Sequence, residues 1–338
     1  MLNHTWMYRT LALAMSAALY VGCSTPPRAT LKYSMPELPA DVPGYQDKPG
    51  WATHQFAVAA ANPLATDAGY QVLLAGGSAI DAAVAVQMVL ALVEPQSSGI
   101  GGGSFILHYD GRAVQAYDGR ETAPSQATEN LFLDAQGKPM AFQDAVVGGR
   151  AVGTPGTLSV LEAAQRVHGV LPWAQLMEPA IALAERGFKV SPRLHEQIKA
   201  DAFLPKDPVA AAYFYDAQGQ AWPVGHVLRN PEFAAVLRQV ALQGAKALKE
   251  GPIAQAIVDK VRQHPGNPGL LSLADLAGYQ VRTREPLCFD HHVSPPAVPA
   301  RDYRLCGFPP PSSGAIAIGQ ILGILNHTPA AGIALQDG

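Results

Sequence analysis

Charge is scarce in this chain of 338 residues. Only 15% of positions are charged, and 24 basic against 27 acidic groups leave a formal net charge of −3. No Lys/Arg cluster interleaves with aromatics, so the electrostatic footprint that tracks a phosphate backbone is missing and nucleic acid is excluded as an expected partner. Three catalytic signatures are incomplete or missing. "GIGGGS" (99 to 104) has Ser104 where a dinucleotide fingerprint needs its third glycine, and it leads into a strand-like run instead of opening a helix. His195 and Glu196 begin a zinc-protease pattern, but Lys199 stands where the second histidine must be. No G-x-S-x-G elbow exists, which leaves an α/β-hydrolase serine without a seat. Asp290, His291 and His292 sit together in a proline-rich stretch without further ligands at suitable spacing, so they read as a solvated loop and no metal is expected. No repeat at a fixed period appears.

What is present is ample apolar material. Hydrophobic residues make up 48% of the chain, enough for a large core in one big domain or two smaller ones. The first residues differ from the rest: Arg9 precedes "LALAMSAALYVG" (11 to 22), too short for a membrane-spanning helix and suited to a signal h-region. Residues 1–22 are therefore expected to be a signal peptide and the protein to be exported, with a periplasmic location. Gly22 and Cys23, followed by "STPP", resemble a bacterial lipobox, in which Cys23 is acylated and anchors the mature protein to a membrane; ordinary cleavage nearby is the other reading. Residues 23–50 are rich in proline and polar groups without a secondary-structure period and read as a tether. Cys288 and Cys306 enclose 17 residues between strand-like stretches. In an exported protein they are candidates for a structural disulfide, with two buried free thiols as the alternative.

Along the chain, "FAVAAA" (56 to 61) reads as a buried strand, and Asn62 with Pro63 as a helix start that stops at Gly76 and Gly77. Ser78 caps "AIDAAVAVQMVLALV", apolar on nearly every face, which predicts a helix buried in a layered core. "SFILHY" and "AVQAYD" flank Asp110 and Gly111, a hairpin turn pair. From about 157 to 280 the patterns are mainly helical, with starts at Asn230 and Ser272 and stops at Gly169 and Gly187. Strand-like stretches around Cys288 and over 303 to 308 precede "PPPSSG", where Ser312 or Ser313 is expected to cap a last helix.

Six stretches in chain order carry a resemblance: "NPLATDAGYQVLLAGGSAIDAAVAV", "EPQSSGIGGGSFILHYDG", "YDGRETAP", "FLDAQGKP", "VGTPGT" and "PPPSSGAI". Together they resemble the γ-glutamyltransferase (glutathione hydrolase) family, from about residue 51 to the end. The resemblance implies an α/β (α+β) fold, the αββα sandwich of the N-terminal nucleophile hydrolases. It also implies a precursor that cuts itself into a large and a small subunit, with residues 51–338 belonging to the large one. The implied substrates are glutathione and other γ-glutamyl compounds, and the implied partner is the small subunit. No metal or organic cofactor is implied.

In that family the arginine of the motif matched by "GRETAP" binds the α-carboxylate of the γ-glutamyl substrate, which carries over to Arg120. A guanidinium suits the task, being always protonated and offering a planar fork of donors to both carboxylate oxygens. A bond of this kind contributes about 1.5 to 3 kcal/mol. Read without the family, composition favours a turn-surface arginine paired with Glu121 or Asp118, and it is the resemblance that reverses this. The family's nucleophile is a threonine at the start of the small subunit, well beyond the point matched by "PPPSSG", and the sequence reaches Gly338 without a counterpart. No catalytic residue is therefore assigned, and the chain by itself is expected to be inactive. A lipid-anchored envelope protein that keeps the large-subunit fold without catalysis is the alternative from another functional class.

Overall fold

Asparagine before proline starts a helix for two independent reasons, and both operate here. The Asn62 side chain accepts the Leu64 N–H at 3.0 Å, while Pro63 occupies the first turn, where its missing N–H costs nothing. Helix α1 follows over Pro63–Leu74 and ends before Gly76, whose φ of +84° favours glycine. Ser78 and Asp81 then form a reciprocal capping box that opens α2, Ala79–Val93. Helix α2 is apolar nearly all round because it is covered nearly all round: Val84, Ala85, Met88 and Val89 are fully buried. It packs on α1, on α3 (Thr157–His168), on the short turn Trp173–Met177 and on α4 (Glu178–Arg186). The coordinates are a computed structural model describing residues 29–36, 52–293 and 299–328.

Strands β1 (Ser104–Tyr109) and β2 (Val114–Gly119) form the expected hairpin, in register from Ser104↔Gly119 to Tyr109↔Val114. Asp110 closes it by accepting the N–H groups of Arg112 and Ala113, each at 2.8 Å, and Gly111 takes a φ of +93°. Strand β3 (Arg282–Arg284) pairs with the other side of β2, giving the order β1-β2-β3 with β1 at an edge. Val160 and Ala164 of α3 cluster with Tyr117 of this sheet and Ile80 of α2.

The strand expected over 56–61 does not form a ladder. A segment becomes a strand only when its N–H and C=O groups meet those of a neighbour. Here Ala57, Val58 and Ala59 instead face Ser104, Phe105 and Ile106 across an apolar cavity of about 400 Å³.

Beyond α4 a short ladder pairs Phe188–Lys189 with Val227–Leu228, and the chain is otherwise mainly helical, with α5 (Pro231–Gln243) capped by Asn230, α6 (Gly251–Arg262), and α7 (Leu273–Gly278) opened by a second capping box of Ser272 and Asp275. A separate ribbon follows, β4 (Leu287–Val293) with β5 (Arg301–Gly307), in which Cys288 and Cys306 face each other and are disulfide-bonded. Asp290, His291 and His292 lie on strand β4, not in the loop expected for them. Cross-strand pairing draws them in: His292 Nδ1 is 2.7 Å from Asp302 Oδ1, and Arg304 pairs with Asp290. Among the described residues no group of three or more His, Cys, Asp or Glu is placed to hold a metal. In the last helix, α8 (Gly314–Leu325), Ser313 stands at the cap without a side-chain bond, and it is Ser312 Oγ that accepts the Gly314 N–H, at 3.3 Å. Ile316, Ile318, Ile321 and Ile324 of α8 are all exposed.

Within the stretch read as a tether, residues 29–36 are docked. Leu31 is buried and donates its N–H to Gln175, and Ser34 exchanges two hydrogen bonds with Gln71. The signal region and Cys23 lie outside the described residues.

Candidate functional site

Three stretches that are far apart in sequence meet at the end of β2 because glycines let their backbones touch. The Gly102 carbonyl accepts the N–H groups of Gly156 and Thr157, at 2.9 and 3.0 Å. Thr154 donates its N–H to Thr122 at 2.8 Å. A Cβ on Gly103 would lie 2.4 Å from Glu121 Oε2, and one on Gly156 would lie 2.1 Å from both the Gly119 carbonyl oxygen and the Tyr279 hydroxyl. Side chains at these positions would push the segments apart. The knot joins the "GIGGGS", "GRETAP" and "VGTPGT" stretches around residues 119–122.

Arg120 emerges from this knot. Its backbone N–H donates to Asp118 Oδ1 at 2.9 Å, and its carbonyl accepts the Tyr279 hydroxyl at 2.8 Å. The guanidinium is 60% exposed, with its Nε 3.8 Å from Glu121 Oε2. That separation is too long for a hydrogen bond, and an exposed pair of this kind contributes only about 0 to 1 kcal/mol. The other candidate partner is already engaged: Asp118, buried, takes Arg284 Nε at 2.6 Å. Among the described residues the forked edge of Arg120 therefore makes no hydrogen bond. Burial first, then the nearby Asp118 and Glu121, push the Tyr279 hydroxyl up to about 12. It stays protonated at neutral pH and serves as donor to the Arg120 carbonyl.

The arrangement presents an always-charged planar donor at a sheet end, free to receive a carboxylate. Cys288 and Cys306 sit on the separate ribbon and belong to its scaffolding. Asp118, Tyr279 and Arg284 are the residues around Arg120 that sequence reasoning did not assign to the site. Asp118 was visible in "YDGR" only as a possible ion-pair partner, and nothing local pointed to Tyr279, 159 residues away.

The fold class is that of the N-terminal nucleophile hydrolases, α+β, in its large-subunit part. The solved gamma-glutamyltranspeptidase of Helicobacter pylori superposes with a TM-score of 0.74 at 34% identity, over 83% of this chain and 77% of that one. Residues 65–337 match the family model described as gamma-glutamyltranspeptidase, and the chain belongs to that family. The glutathione hydrolase proenzyme of Bacillus subtilis (strain 168) is 38% identical over 272 residues, 80% of this chain and 44% of that protein. The acylase ACY 1 proenzyme of Pseudomonas sp. (strain V22) is 40% identical over 272 residues, 78% of this chain and 46% of that protein. The chain spans about half the length of the curated relatives it matches.

Proposed function

We propose that this chain supplies the γ-glutamyl recognition half of a γ-glutamyltransferase that cleaves glutathione and related γ-glutamyl amides. The observation that carries the reading is the exposed guanidinium of Arg120 at the end of β2, which makes no hydrogen bond among the described residues: its ion pair with Glu121 is loose, at 3.8 Å, and Asp118 is taken by Arg284. It would bind the α-carboxylate while the γ-carbonyl is turned toward a threonine in the small-subunit portion, formed by self-cleavage of a longer precursor. There the threonine hydroxyl adds to the γ-carbonyl, and its proton passes through the threonine's own α-amine to the departing amine as the C–N bond breaks. Water then cleaves the γ-glutamyl ester and restores the hydroxyl; an amino acid or peptide amine in place of water completes transfer.

A substrate pair tests the carboxylate grip directly. The self-processed gene product carrying this chain should favour a γ-glutamyl amide over the matching 4-aminobutyryl amide, which lacks only the α-carboxylate, by about ten- to a hundredfold in kcat/KM. Equal turnover of the two, or no turnover of the γ-glutamyl amide, overturns the reading.

The proposal extends to location: export to the periplasm with Cys23 as a lipid anchor, supported by the h-region over 11–22 and the residues around Cys23. Radioactive palmitate should label the protein and fail to label Cys23→Ser, and globomycin should leave the labelled protein uncleaved. Persistent label in that variant rules the anchor out.

A further inference from the structure

The side chain of Arg120 has little to hold it, whereas its peptide is gripped on both sides. Its N–H goes to Asp118 and its carbonyl to Tyr279. Both grips trace to one distant segment. Asp275, in the capping box of α7, accepts the Ser125 N–H at 2.9 Å. Tyr279, just after α7, binds the Arg120 carbonyl, and Arg284, on β3, binds Asp118. Residues 275, 279 and 284 thus bracket 125, 120 and 118 in reversed order, clamping the length of the "DGRETAPS" stretch. The bracket is itself anchored: Lys249 Nζ donates to the Tyr279 carbonyl at 2.7 Å, and Arg284 is in register with Ala116 on β2. Gly156 leaves the space that the Tyr279 hydroxyl fills.

A long, exposed side chain with loose contacts can be aimed only from its root, so the placement of its peptide decides where the fork lies. Displacements near 1 Å at such a root are costly to a positioned site. We propose that Tyr279, together with the Asp118–Arg284 pair, is a positioning residue for Arg120, setting the backbone from which the guanidinium reaches the substrate carboxylate. The inference rests on the reading of Arg120 as the carboxylate fork.

Tyr279→Phe keeps the ring and removes the hydroxyl. In the processed enzyme it should raise KM for a γ-glutamyl amide about three- to tenfold while leaving kcat within about twofold. A purely structural tyrosine would lower thermal stability without this split. The double variant Arg120→Lys/Tyr279→Phe should have nearly the KM of Arg120→Lys alone, because a residue that acts through Arg120 has little left to position. Unchanged KM in folded Tyr279→Phe, or penalties that multiply in the double variant, overturn the proposal. If Tyr279→Phe does not fold, Arg284→Gln carries the same expectation and the same refutation. Failure of the underlying reading looks different, since Arg120→Lys would then leave KM unchanged.

Discussion

Replacing Arg120 by alanine is expected to lower kcat/KM for a γ-glutamyl amide by about ten- to a hundredfold, the range corresponding to one charge-assisted hydrogen-bonded contact of 1.5 to 3 kcal/mol. Arg120→Lys should fall between, because an ammonium keeps the charge and loses the second arm of the fork. The loss should appear mainly in KM, since the α-carboxylate is remote from the amide that breaks and is bound alike before and during reaction. Folding should be nearly untouched: the side chain is 60% exposed, and its carboxylate neighbour Glu121 is 3.8 Å away. Initial-rate kinetics on glutathione, beside a melting curve, check both halves. An unchanged KM removes Arg120 from the site.

The second large effect concerns stability. Asp81 is fully buried, and its carboxylate accepts the N–H groups of Ser78, Val170 and Leu171 at 2.9, 2.8 and 3.0 Å, with Gln165 Nε2 at 3.2 Å. It therefore does more than complete a helix cap, because it ties the start of α2 to the turn that follows α3. Asp81→Ala removes the acceptor of three backbone donors, of which that of Leu171 is buried and those of Ser78 and Val170 are part-buried. The expected cost is about 2 to 4 kcal/mol, measured by urea or guanidinium unfolding. Ser78→Ala, which removes the cap hydroxyl alone, should cost about 1 kcal/mol. A loss for Asp81→Ala no greater than that for Ser78→Ala would reduce Asp81 to an ordinary cap residue.

The reach of sequence reading follows the distance over which each interaction closes. The caps at Asn62, Ser78, Asn230 and Ser272 all form as their residue types suggest, because donor and acceptor lie within three positions of one another. The hairpin at Asp110 and Gly111 is equally local. "FAVAAA" has the composition of a strand and lacks a ladder because pairing depends on a neighbour that composition does not specify. His291 and His292 sit beside prolines in the sequence, yet pairing with the far arm of a ribbon puts them on a strand.

The residues themselves determined the helical punctuation, the buried character of α2 and, through six motifs in order, the family and Arg120 as its carboxylate-binding candidate. Tertiary structure alone decided that Asp118 is occupied by Arg284, that Glu121 meets the guanidinium only in a loose ion pair beyond hydrogen-bond distance, and that Tyr279 grips the Arg120 peptide. The first and last of these close over separations of 166 and 159 residues, while the Glu121 contact is a matter of ångströms. Residue types along a chain specify what can pair; only the packed backbone brings the partners within reach.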